Sequence, residues 1–138
     1  MFEKLWYLKI IFSIISMMLR NLFQQVRNFS VDGFGRVNVG RGLEKLVKNL
    51  RVGDEVMTPQ GKARIVNINK KDVVNGFYEM VEFNKMLITQ DHEIMIYDEW
   101  TLPKDVKKVE FVKCVSLYDF ELDNYKIMTV NGNNIRTK

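Results

Sequence analysis

Histidine and cysteine each occur once in the 138 residues. With Cys114 alone, no intrachain disulfide can form, so the chain is not a stapled secreted domain. One histidine and one cysteine cannot build a structural zinc site, and no metal or cofactor is expected. A concentrated basic patch is also missing. The net charge is +4 and the pI about 9.2, but Lys70-Lys71, Lys107-Lys108, Arg136 and Lys138 are scattered. No zinc-ligand spacing, recognition helix or aromatic RNA-binding motif accompanies them. A solvated surface is expected rather than a specific nucleic-acid interface. There is no internal repeat and no low-complexity segment. With 46% hydrophobic and 28% charged residues, the chain has the composition of a globular protein.

Composition changes sharply near residue 30, which divides the chain into a segment 1–29 and a domain 30–138. Residues 5–23 are apolar apart from a few positions. Lys9, Ser13, Ser16, Arg20, Gln24 and Arg27 recur at spacings of three and four, forming one narrow polar stripe of a helix. The wide opposite face carries Leu8, Ile11, Phe12, Ile15, Met18, Leu19 and Leu22. Such a helix can lie in a membrane interface with Trp6 and Tyr7 at the boundary. It can span the bilayer, although Lys9 and Arg20 interrupt the run, or it can pack on a partner or on the rest of the chain. Membrane association of an intracellular protein, on or across the bilayer, is the expectation taken forward. A cleavable signal peptide is not expected, because no small-x-small site follows the apolar stretch.

From residue 30 the pattern is β. Arg64–Asn69 alternates at period two, and Phe77–Phe83 is aromatic and β-branched. Further runs are Lys85–Thr89, Glu93–Tyr97, Phe111–Leu122 and Lys126–Val130. Thr58-Pro59-Gln60-Gly61, Asn75-Gly76, Asp123-Asn124 and Asn131-Gly132 supply turn chemistry between them. Cys114 falls in the run Val112–Val115 and reads as a buried small hydrophobe in a strand. A short helix is expected only around Leu43–Leu50. Many short strands at close spacing predict a compact all-β domain preceded by an apolar, amphipathic helix.

The lone imidazole lies in Ile88-Thr89-Gln90-Asp91-His92, a Thr-x-x-His between two strand-like runs. Imidazole is the side chain best suited to moving a proton near neutral pH. Leu50-Arg51-Val52-Gly53-Asp54-Glu55-Val56-Met57-Thr58-Pro59-Gln60-Gly61 precedes it. Trp100-Thr101-Leu102-Pro103 follows, then Leu117-Tyr118-Asp119-Phe120-Glu121-Leu122 and Val130-Asn131-Gly132. In this order the segments resemble a Hint domain, the self-processing module of inteins and hedgehog C-terminal domains. The Trp-x-x-Pro spacing and the Phe-Glu-Leu ending are most similar to the Vint subgroup. The resemblance covers roughly residues 30–135 and implies a compact, pseudo-symmetric β fold.

In that family the first residue is a Cys or Ser about two dozen residues before the Gly-Asp pair. Counting back from Gly53-Asp54 reaches Ser30, at the composition break. The resemblance implies that Ser30 attacks the carbonyl of Phe29 and turns the peptide bond into an ester. His92 would donate the proton to the leaving nitrogen, Thr89 would hold the scissile amide, and Asp119 would orient or deprotonate the nucleophile. The chain's own segment 1–29 would be the substrate.

Each residue also has a plain structural reading: Ser30 as a turn or cap, His92 as a hydrogen-bonded strand histidine, Thr89 as a strand former, Asp119 as a surface charge. Asp119 shares an alternation face with Val115 and Leu117, which points it inward. The ending Val130–Lys138 lacks the His-Asn pair with which inteins splice, and Tyr125 stands near where many inteins carry a histidine. The expected function is therefore N-terminal self-cleavage at Phe29/Ser30 without splicing. The alternative is a catalytically inactive Hint-fold module tethered by its N-terminal helix to a membrane or partner.

Overall fold

The computed structural model describes residues 7–15 and 31–138. Residues 7–15 are helical, and Tyr7, Leu8, Ile10, Ile11, Phe12, Ile14 and Ile15 are all exposed. This part of the helix is not packed into a core. No helix among the described residues is long and apolar enough to cross a membrane. The remainder of the 5–23 stretch lies outside the described residues.

The rest of the described chain is β with short 3-10 turns. Its first strands are β1 (Val31–Asp32), β2 (Arg36–Gly40), β3 (Leu43–Leu46), β4 (Glu55–Thr58) and β5 (Gly61–Asp72). Next come β6 (Phe77–Phe83), β7 (Met86–Thr89), β8 (Ile94–Ile96) and β9 (Glu99–Thr101). The last are β10 (Glu110–Lys113), β11 (Ser116–Leu122), β12 (Ile127–Val130) and β13 (Asn133–Arg136). Seven strands form one sheet in the order β10-β6-β7-β1-β11-β5-β4, four form β12-β13-β8-β9, and β2 pairs with β3.

The predicted strand Phe77–Phe83 matches β6 in both bounds, and Arg64–Asn69 lies within the longer β5. Two expectations need correction. Leu43–Leu50 is not a helix: Leu43–Leu46 is β3 and Val47–Asn49 a single 3-10 turn. The apolar spacing of Leu43, Leu46, Val47 and Leu50 imitates a helical stripe. In the fold, Val47 and Leu50 turn into the core while Leu43 stays exposed. The run Phe111–Leu122 is two strands rather than one, because β10 is an edge strand on β6 whereas β11 runs between β1 and β5. Cys114 sits at the break, outside any strand, and is still buried.

Alternation along the strands gives the large sheet two different faces. Val31, Val81, Ile88 and Phe120 belong to the main core, which Ile94, Met128 and Ile135 of the four-stranded sheet complete. Met80, Cys114 and Leu117 form a smaller cluster. Asn131-Gly132 makes the predicted hairpin, with both residues at positive φ as a two-residue turn requires. The asparagines around it tie the sheets together. Asn131 Nδ2 donates to the Asn84 carbonyl at 2.8 Å, and Asn133 Nδ2 donates to the Phe83 carbonyl at 3.1 Å. The Arg36 amide donates to Asn131 Oδ1 at 2.7 Å.

Gly35 marks where this packing is tightest. A Cβ there would lie 2.5 Å from Val130 Cγ1 and 3.4 Å from Val47 Cγ2, and both neighbours are fully buried. Gly35→Ala should therefore cost about 1–3 kcal/mol through overpacking, measured by urea unfolding. A loss below about 0.5 kcal/mol, the range of a neutral surface change, would contradict this account of the core.

Candidate functional site

β1 is only two residues long, yet it fills the centre of the large sheet. Val31 pairs with Ile88 of β7 on one side and with Tyr118 of β11 on the other, both antiparallel. The residues that follow these partners, toward the N-terminal end of β1, are Thr89 and Asp119. Both are buried. Thr89 ends β7 opposite Met80 of β6, and Asp119 lies in mid-strand opposite Asn69 of β5. Phe29 and Ser30 lie outside the described residues.

His92 reaches the same region through a tight turn, in which its amide donates to the Thr89 carbonyl at 3.2 Å. His92 and Asp119 line one cleft of about 210 Å³, together with Asp91 and Arg136–Lys138. On one wall, Nε2 of His92 meets the carbonyl oxygen of Arg136. A carbonyl can only accept, so Nε2 carries the hydrogen and Nδ1 keeps the lone pair. On the other wall, Asp119 Oδ1 accepts the Phe120 amide at 3.0 Å and Oδ2 lies 3.6 Å from Lys138 Nζ. That pair is an ion pair longer than a hydrogen bond. Asp91 is turned to Lys104, whose Nζ lies 2.7 Å from its Oδ1.

Burial sets the protonation of both groups. It pushes His92 down to about 4, against the raising effect of the Arg136 carbonyl, and the Arg136 guanidinium lowers it further. It pushes Asp119 up to about 6, although Lys138 favours the carboxylate. Near pH 7 the resting site thus holds a neutral imidazole beside a mostly ionised carboxylate. A neutral imidazole has to take up a proton before it can give one.

The structure brings His92 and Asp119 into one cleft, and Thr89 joins them through its backbone. Sequence reasoning missed two features. One is the set Arg136–Lys138, whose place depends on the long-range pairing of β13 with β8. The other is Asp32, buried in β1, whose Oδ1 has no hydrogen-bond partner among the described residues and whose carboxyl is raised by burial. Asp32 borders a separate cavity of about 450 Å³ with Cys114 and Tyr118. Burial, then the nearby Asp32, raises the Cys114 thiol to about 11, so it carries little thiolate at neutral pH. Among the described residues no group of three or more His, Cys, Asp or Glu is placed to hold a metal.

The two shifts have opposite effects on stability. His92 is depressed on folding, so its contribution is lost as pH falls from about 6.5 to about 4. Asp119 is raised, so its contribution is present at low pH and lost as pH rises through about 6. Replacing His92 by Gln removes only the first effect. Relative to the parent, the His92→Gln variant should gain up to about 3 kcal/mol of unfolding free energy between pH 6.5 and pH 4. Parallel stability curves for the two proteins would contradict a buried neutral imidazole.

Known proteins share this architecture. A bacterial intein-like domain from Clostridium thermocellum superposes with a TM-score of 0.65 at 14% identity, covering 80% of this chain and 99% of that one. The gp41-1 intein gives 0.58 at 18% identity, over 79% and 98%. A DnaB intein from Synechocystis sp. PCC 6803 gives 0.59 at 11% identity, also over 79% and 98%. No curated protein sequence matches the chain. The model of the Vint family, described as a Hint domain, matches residues 30–136. The chain belongs to the Vint family of Hint domains.

Proposed function

We propose that this domain cleaves its own chain at Phe29/Ser30 by an N-to-O acyl shift, without splicing. Hint domains generally carry out autoprocessing or splicing. The observation that carries the specific reading is the register of β1. The pairing of Val31 with Ile88 and Tyr118 leaves Thr89 and Asp119 flanking the N-terminal end of β1, and the His92 amide turns back onto the Thr89 carbonyl. The composition break near residue 30 falls at this same end of β1.

In this reading, Ser30 Oγ attacks the Phe29 carbonyl carbon and its proton passes to the Asp119 carboxylate. The Oγ–C bond forms and the C–N bond to Ser30 breaks. Asp119 passes that proton to Nδ1 of His92, Nε2 being held on the Arg136 carbonyl, and His92 delivers it to the Ser30 nitrogen as the C–N bond breaks. Thr89 supports the amide from the neighbouring strand. Water then hydrolyses the ester, leaving a carboxylate on Phe29 and restoring the Ser30 hydroxyl. The Val130–Lys138 ending holds no His-Asn pair, and its asparagines at 131 and 133 are engaged in sheet contacts.

The segment released would be the apolar one. We further propose that residues 5–23 lie in an anionic membrane interface, so that cleavage frees the β domain from it. Its described part exposes a broad apolar arc with Lys9 and Ser13 on the remaining side.

Two measurements test these proposals. Purified full-length chain at pH 7.5 should convert over time to fragments 1–29 and 30–138 by intact mass. Ser30→Ala should abolish the conversion and His92→Ala slow it at least ~100-fold. Persistence of full-length protein would support the inert module, and continued cleavage in Ser30→Ala would refute the assigned nucleophile. In vesicle flotation, uncleaved Ser30→Ala chain should rise with anionic liposomes and the 30–138 product should not. Equal behaviour of the two would refute the membrane role.

A further inference from the structure

We propose that Arg136–Lys138 is the positioning element of the site: the Arg136 carbonyl fixes the proton on His92 Nε2, and the Lys138 ammonium holds the Asp119 carboxylate in its charged form. The inference rests on the cleavage reading above, but its geometry is independent of Ser30.

Each group assigned to proton transfer meets one end of this segment, His92 the Arg136 carbonyl and Asp119 the Lys138 ammonium. The tail is itself anchored at every step. The Arg136 amide donates to the Glu93 carbonyl at 3.2 Å, the Thr137 amide to Lys126 at 2.9 Å and the Lys138 amide to Phe120 at 3.2 Å. The Arg136 side chain is fixed as well: its guanidinium lies 4.6 Å over the Trp100 ring and 3.2 Å from Glu93 Oε2. Trp100 therefore serves the site at a distance, by locking the residue whose carbonyl meets His92. Thr137 is buried. The tail thus bridges the turn before β8, where His92 sits, and β11, which carries Asp119.

A carboxylate with only 2% of its side chain exposed needs a compensating charge to remain ionised. Other charges surround it. Glu121 on its own strand and Asp32 on β1 are acidic, Lys71 on β5 is basic, and Asp91, Glu93 and Arg136 lie around the cleft. Among the described cations, Lys138 is the one whose ammonium is paired with Asp119, at 3.6 Å. Its backbone anchor on Phe120 does not depend on its side chain, so Lys138→Met should keep the tail in place and delete only the charge.

The test uses the full chain in two backgrounds. In the uncleavable Ser30→Ala chain, carbon-13 NMR of the Asp119 carboxyl should show its midpoint rising by about one pH unit in Lys138→Met and returning in Lys138→Arg. Nitrogen-15 NMR of the ring should show His92 protonated at Nε2. In the Ser30 chain, the rising limb of the cleavage-rate profile should move to higher pH by the same amount in Lys138→Met, with Lys138→Arg restoring it. An unshifted Asp119 midpoint, or His92 protonated at Nδ1, would overturn the tail's role even if the parent cleaves. A shifted midpoint in a chain that never cleaves would overturn the cleavage reading, and with it the tail's part in catalysis.

Discussion

The site depends on a two-residue strand held on both edges. Val31 is completely buried and pairs with β7 and β11 at once. Those pairings set which residues of the two longer strands stand beside the start of the domain. A slip of one residue would bring opposite-face side chains there. The slip is opposed by the alternation of β11, in which Tyr118 and Phe120 fill the main core while Leu117 joins the smaller cluster. The hydrophobic pattern of the sheet thus fixes the position of Asp119 more firmly than any polar contact does.

The same burial that fixes register also tunes the chemistry. It raises one acid and depresses one base until their usual order is reversed, about 6 for Asp119 and about 4 for His92. A carboxylate in that range is a competent base near neutral pH, and a neutral imidazole with one nitrogen occupied has a single nitrogen left for proton traffic. In the proposed site, charge compensation falls to Lys138 and orientation to the Arg136 carbonyl. Asn131 and Asn133 join the sheets through their side-chain amides.

Much of this was legible in the sequence, and for identifiable reasons. Phe77–Phe83 and Asn131-Gly132 are local signals, an aromatic β-branched run and a turn dipeptide, and both appear as expected. Asp119 was aimed inward by simple alternation. The tail was not legible, since its value arises only when β13 pairs with β8. The turns at Asn84-Lys85 and Tyr97-Asp98 were also hidden. They adopt positive φ without glycine, a conformation imposed by the strands they join. Leu43–Leu50 was misread because four apolar residues at helical spacing can equally be a strand followed by a tight turn.

The central claim is that the Phe29–Ser30 peptide bond becomes an ester. Neutral hydroxylamine added to the folded full-length chain tests it directly, because it attacks esters much faster than amides. Mass spectrometry should find residues 1–29 ending in a Phe29 hydroxamate, together with a fragment beginning at Ser30. Absence of the hydroxamate, or cleavage confined to Asn75-Gly76 and Asn131-Gly132, the Asn-Gly bonds that hydroxylamine cuts without any ester, would contradict the account.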